Sequence, residues 1–223
     1  MSNDRRSRVG LPIALVVAVL VMGACLSQTG PTMDRLTYSL PTTLSIQQGG
    51  ALFSTGIVYD GHTEEGAWLV IDGQRALKRQ GDSVKWSGSL VPGTEIELDL
   101  RIVWITEDKV DLAGTAKITI QDVAPQKGPI ATSSPVTFTG PVAYGVATSS
   151  YIPGTTLTYL GQTEQGAELG GLVNEFPYRQ IGDSIIWEGT LREHVYLRAE
   201  LRTVQFSSDG LRVAGVVTLW LGE

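Results

Sequence analysis

The chain carries one stretch of sequence twice. Ile57 to Ile120 aligns with Leu157 to Leu221 at an offset of 100, becoming 101 after one inserted residue placed at Ile181, with 21 identities over 64 paired positions. The clearest matches are YDGHTEEGA (59–67) with YLGQTEQGA (159–167), RQGDSVKWSGSL (79–90) with RQIGDSIIWEGTL (179–191), and LRIV (100–103) with LRTV (201–204). Any fold proposed for one copy must suit the other. The period is too long for one rung of a solenoid, so each copy is expected to be a small module. The segment 121–135, with Pro125, Pro129 and Pro135, divides module 1 (36–120) from module 2 (136–223) and is expected to be a linker.

Within each copy the apolar residues recur at every second position, the period of half-buried strands. Val84, Trp86, Gly88 and Leu90 match Ile185, Trp187, Gly189 and Leu191; Ile96, Leu98 and Leu100 match Leu197, Ala199 and Leu201. Leu112, Gly114, Ala116, Ile118 and Ile120 match Val213, Gly215, Val217, Leu219 and Leu221. No helical stripe follows residue 30. The expected fold is all-β: two tandem antiparallel modules, barrel or sandwich, each of about five or six strands. Ser208-Asp209-Gly210 predicts a three-residue hairpin loop with Gly210 at positive φ. Pairing Ser207 with Leu211 then sets Leu201 opposite Val217 and Trp220 opposite Arg198. Lys109, in place of Gly210, predicts a different turn in the first copy.

Residues 1–24 have the order of an export signal: Arg5, Arg6 and Arg8, an apolar run from Leu11, then Gly23 and Ala24 before the only cysteine, Cys25. The 16 residues from Leu11 to Leu26 fall short of the roughly 20 that span a bilayer core. An uncleaved anchor and an ordinary cleaved signal are the alternatives. Met22-Gly23-Ala24-Cys25 resembles the lipobox of bacterial lipoprotein precursors, with Met22 where an aliphatic residue such as Leu is usual. The resemblance covers the first 25 residues alone. It implies cleavage before Cys25, a diacylglycerol on the Cys25 thiol and membrane attachment on the extracytoplasmic side, with 25–35 as lipidated residue and tether. Without residues 1–24 the chain has 14 basic and 22 acidic residues, so lipid rather than a basic patch would hold it at an anionic membrane.

The whole chain has 17 Lys plus Arg against 23 Asp plus Glu, which disfavours a nucleic-acid partner. His62 and His194 have Gln162 and Gly93 as counterparts, so neither belongs to the repeated design. No nucleophile elbow, HExxH or phosphate loop is present. The loops around Thr63-Glu64 and Thr163-Glu164 offer too few carboxylates for Ca²⁺ and are expected to be turns held by the Thr hydroxyl. Asp82 and Asp183 are expected to cap turns, and Arg101 and Arg202 to pair with Asp99 and Glu200 along the sheet. No cofactor or metal is expected.

Trp86 and Trp187 occupy matching apolar positions, as core aromatics would. Trp68, Trp104 and Trp220 have Glu168, Gln205 and Thr119 as counterparts, which places them where water reaches. With Arg198 and Phe206 they are the candidate contact residues for a ligand or partner. The expectation is a lipid-anchored, extracytoplasmic binding or scaffolding protein of the bacterial envelope, non-catalytic, contacting an envelope protein or a cell-wall or surface glycan. The alternatives are a carrier holding a lipid or small molecule in a barrel cavity, and an enzyme whose acids meet between the modules.

Overall fold

A computed structural model describes residues 34–222 except 54, 131–133, 135, 173 and 174; the expected signal segment, Cys25 and most of the tether lie outside these. The described chain is all-β and antiparallel. The first half contains β1 (Arg35–Gln47), β2 (Val58–Thr63), β3 (Gly66–Ile71), β4 (Gln74–Lys78), β5 (Ser83–Gly88), β6 (Thr94–Ile105) and β7 (Lys109–Gln121). Then follow β8 (Gln126–Lys127), β9 (Val136–Ala147), β10 (Ser150–Tyr151), β11 (Thr158–Thr163), β12 (Gly166–Gly170), β13 (Tyr178–Arg179), β14 (Ser184–Arg192), β15 (Val195–Phe206) and β16 (Gly210–Leu221).

The two halves repeat one plan. A long sheet runs β1-β7-β6-β5 in the first and β9-β16-β15-β14 in the second, where β8 adds a fifth strand at the β14 edge; a small meander runs β2-β3-β4 and β10-β11-β12-β13. The repeat extends upstream to β1 and β9: Leu36 pairs with Ile120 as Val136 pairs with Leu221. Tyr59 and Tyr159 tie meander to long sheet in the same way, each hydroxyl donating to a hairpin carbonyl, Thr106 at 2.6 Å and Ser207 at 2.5 Å.

Alternation fixes the buried face. Ile96, Leu98, Leu100 and Ile102 of β6 and Leu112, Ala116, Ile118 and Ile120 of β7 are buried, as are their counterparts in β15 and β16. Trp187 is 1% exposed, and its ring lies over Gly189: a Cβ there would stand 2.7 Å from the ring and 2.1 Å from the Gln126 carbonyl oxygen. Trp86 covers Gly88 in the same fashion but is only half-buried.

Several sequence expectations change. The hairpin β15–β16 has a tighter turn, with Ser207 N–H donating to Gly210 O at 2.9 Å, and a bulge between Thr203 and Gln205. Each moves the register by one residue. Together they set Leu201 opposite Gly215 and Trp220 opposite Tyr196, with the apolar faces preserved. Between turn and bulge only one shift applies, so Phe206 pairs with Leu211 and packs on the core, away from the face of Trp220. The first half has the same turn, Thr106 N–H to Lys109 O at 2.9 Å; neither Gly210 nor Lys109 has positive φ, so glycine is not required.

The inserted residue lies upstream of Ile181. Ala67 pairs with Lys78 and Ala167 with Arg179, so the chain is already offset by 101 there. The extra residue belongs to the 171–177 connection; matching Arg79-Gln80 to Arg179-Gln180 gained identities at the expense of backbone register.

Arg101 and Arg202 hold turn carbonyls, Gly81 O at 3.0 Å and Gly182 O at 2.9 Å, rather than forming the expected ion pairs; Asp99 pairs with Lys85 and Glu200 with Arg198. Asp82 and Asp183 cap the same turns through the Arg79 and Gln180 amides at 2.8 and 2.7 Å.

The halves share one continuous apolar core. β1 meets β9 where Leu40 packs on Gly140: a Cβ at Gly140 would lie 3.0 Å from Leu40 Cδ2 and 3.2 Å from Pro41 Cδ. The flanking contacts are reciprocal, as across a two-fold axis. Phe53 of the first half meets the edge of Phe138 at 6.4 Å between ring centres. Gly154, beside Pro153, the counterpart of Phe53, packs under Tyr38, the counterpart of Phe138. Arg192 crosses to donate to Gln121 O at 2.7 Å and Gly93 O at 3.3 Å.

Gly140→Val should therefore destabilise the protein by about 1–3 kcal/mol through overpacking against Leu40. At Gly145, on the exposed face of the same strand, an added Cβ meets nothing within 4 Å, so Gly145→Val should not; urea unfolding of both variants checks this.

Candidate binding surface

Each long sheet buries one face and turns the other outward, so the outward positions of β6–β7 and β14–β16 carry the candidate chemistry. Trp104 stands directly after the bulged Val103 and pairs with Asp111 of β7, whose neighbour on β1 is Ser45. The bulge re-aims the strand end, and Trp104 is 58% exposed with Val103 41% exposed beside it. The Ser45 hydroxyl donates to Asp111 Oδ1 at 2.5 Å, and Lys109 Nζ lies 2.9 Å from Oδ2. Ser45 first and Lys109 second hold the Asp111 carboxyl below its ordinary range, so an anionic, hydrogen-bonding group is fixed beside the exposed indole.

Trp220 is half-buried opposite Tyr196 on the outward face of the second long sheet, with Thr137 on its other side. Arg198 lies one outward position along, held by Glu188 at 3.1 Å and Glu200 at 2.9 Å. Trp68 stands in the small meander, covered by the Arg75 guanidinium 4.3 Å above its ring, which Asp60 fixes at 2.9 Å. Of the residues expected from sequence, Trp220 and Arg198 are neighbours on one face. Trp68 lies in another sheet and Trp104 in the other half; Phe206 belongs to the core, and Cys25 lies outside the described residues.

The Thr63 and Thr163 loops are turns in which the Thr hydroxyl accepts from Glu65 and Gln165 N–H at 3.3 and 3.2 Å. Among the described residues no three His, Cys, Asp or Glu side chains converge as metal ligands. An open groove of about 450 Å³ along β14 is lined by Lys127, Glu175, Arg179, Ser184, Ile186 and Glu188; Glu175 pairs with Lys127 and Arg179 at 3.2 and 3.4 Å.

Sequence reasoning missed the tyrosine pair between the halves. Tyr38 of β1 is buried and Tyr144 of β9 half-buried, their hydroxyl oxygens lie close together out of solvent, and neither makes a hydrogen bond of ordinary geometry. Burial raises Tyr38 well above the usual phenol value, with the proximity of Tyr144 adding to it, and pushes Tyr144 up to about 12. The only signal was the upstream extension of the repeat, where Tyr38 matches Phe138 and Tyr144 matches Leu44.

Comparison of the chain with protein-family models, curated proteins and solved structures finds no match in any of the three.

A phenol whose pKa is raised by folding stabilises the folded state below about pH 10, and that contribution is lost as pH rises through the folded value. Alkaline unfolding should therefore steepen between about pH 10 and the Tyr144 value of about 12. In Tyr38→Phe/Tyr144→Phe this limb should flatten, with stability at pH 7 unchanged to within about 1 kcal/mol because no good hydrogen bond is lost. Circular dichroism against pH for the two chains is the check.

Proposed function

We propose that the chain is a lipid-anchored protein of the extracytoplasmic face of a bacterial envelope that works by binding, without catalysis. Residues 1–25 support the location: a basic start, an apolar run too short to span comfortably, and a small-small-Cys site holding the only thiol. Attachment through two or more acyl chains would anchor it stably without help from protein charge.

The observation that carries the binding reading is Trp104. An indole left largely in water beside a carboxylate held ionised is a platform for a partner with an apolar face and hydrogen-bond donors, as in a sugar ring or a protein loop. Trp220 with Tyr196 and the Glu188–Arg198–Glu200 cluster forms a second surface of similar chemistry on the other half. Two acids on the outward face of the first long sheet are engaged by basic side chains, Asp99 by Lys85 at 2.9 Å and Glu97 by Lys117 at 2.6 Å.

The full chain should be retained on the protein or glycan fraction of a cell-envelope extract, with retention lost in Trp104→Ala/Trp220→Ala. Retention unaffected by the double substitution would move the binding surface elsewhere. In cells, Cys25→Ser should abolish incorporation of labelled fatty acid and release the protein from membranes; continued lipid labelling would sink the anchor assignment.

A further inference from the structure

The two halves differ at matching ends of their long sheets. In the first, the outward row Ser45–Asp111–Trp104 runs across β1, β7 and β6; in the second, Gly145–Arg212–Gln205 runs across β9, β16 and β15 in the same order and register. One outward row nearer the hairpin, Gln47 pairs with Lys109 where Ala147 pairs with Gly210. Four of these five positions carry a smaller side chain in the second half. The result is an open groove of about 360 Å³ over Gly145, Ala147 and Gly210, and a Cβ at Gly145 would meet nothing within 4 Å.

The fifth position changes sign. Asp111 becomes Arg212, an exposed guanidinium whose side chain makes no hydrogen bond or ion pair among the described residues. Asp209 stands at the hairpin end of the groove. The first half thus presents a projecting indole, 58% exposed, with an acid beside it and Lys109 toward the hairpin. The second presents a recess with a base beside it and an acid toward the hairpin. A carboxylate has about four acceptor sites, so Asp111 can still receive a guanidinium after binding Ser45 and Lys109.

The two sheets share one strand order, and setting them face to face with their hairpins pointing the same way exchanges left and right. Trp104 then falls over the β9 side, at Gly145 and Ala147, Asp111 falls on Arg212, and Ser45 meets Gln205. Bulk meets space and acid meets base along the whole row. Within one chain both sites stand open to solvent, so they do not serve each other there.

We infer that the chain associates with itself head to tail, Trp104 and Asp111 of one copy seating in the groove at Gly145 and Arg212 of the next. This rests on the reading of Trp104 as a contact residue and names its partner. Because the two surfaces differ, each contact leaves one indole and one groove unused, so assembly proceeds to rings or filaments.

Sedimentation of the full chain in excess detergent, one chain to a micelle, tests this up to about 1 mM, which covers weak contacts of small area. The parent should grow past the dimer as concentration rises. Trp104→Ala and Gly145→Val/Arg212→Asp, each with the parent's circular dichroism, should stay monomeric alone. Mixed in equal amounts they should form one-to-one dimers and nothing larger, since the first lacks only the indole and the second only the groove. A monomeric parent, a variant that still grows alone, or a mixture of the folded variants that stays monomeric would each overturn the inference. If the parent is monomeric and Trp104→Ala still weakens retention on the envelope extract, the contact reading of Trp104 stands and only the second copy falls as its partner.

Discussion

Leu40 packs on the backbone of Gly140, and the rest of the molecule is arranged around that contact. A Cβ at 140 would stand 3.0–3.2 Å from Leu40 and Pro41, so a side chain there must displace them where β9 meets β1, between the contacts of Phe53 with Phe138 and of Tyr38 with the Gly154 loop. Interiors tolerate little expansion because close-packed atoms lose dispersion contact over fractions of an ångström. The small meanders add few buried residues of their own, so each long sheet needs the other half over the start of its first strand. Duplication has here produced an internal dimer whose interface is part of the core.

That arrangement explains where surface chemistry can lie. The inner faces are occupied by packing, which leaves the outward faces, the bulged ends of β6 and β15, and the sheet edges. Bulges at Val103 and Val204 serve both halves, but only the first presents an aromatic, Trp104, after the bulge; the second presents Gln205. The two copies keep a common scaffold and differ where they meet solvent. Divergence of that kind gives one chain two surfaces with differently placed aromatics on a shared frame.

Most of the architecture was legible because strands announce themselves by alternation, and the repeat allowed every segment to be read twice. The all-β class, the long hairpins and the buried side of each strand follow from positions such as Ile96-Leu98-Leu100 and their counterparts. Register was less legible. A tightened turn and a one-residue bulge leave no mark on the apolar pattern when their shifts add to two, and only Gln205 and Phe206, caught between them, change face. Gap placement failed for a related reason: Arg79 and Arg179 are identical residues at positions the backbone does not equate. The site was partly legible. An aromatic with a polar counterpart, Trp104, is indeed exposed, but Asp111 and Ser45 beside it come from strands far away in sequence, and pairing across strands is not written in local composition. The Tyr38–Tyr144 contact joins the two halves and could not be inferred from either alone.

Because the account rests on a single core spanning both halves, native-state hydrogen exchange across a urea series probes it most directly, following the most protected amides of β7 near Ile118 and of β16 near Leu219. A shared core predicts that the two sets converge on one opening free energy and one urea dependence, since neither half can open without exposing the other. Two separate values, with one half exchanging through an opening that leaves the other protected, would contradict it.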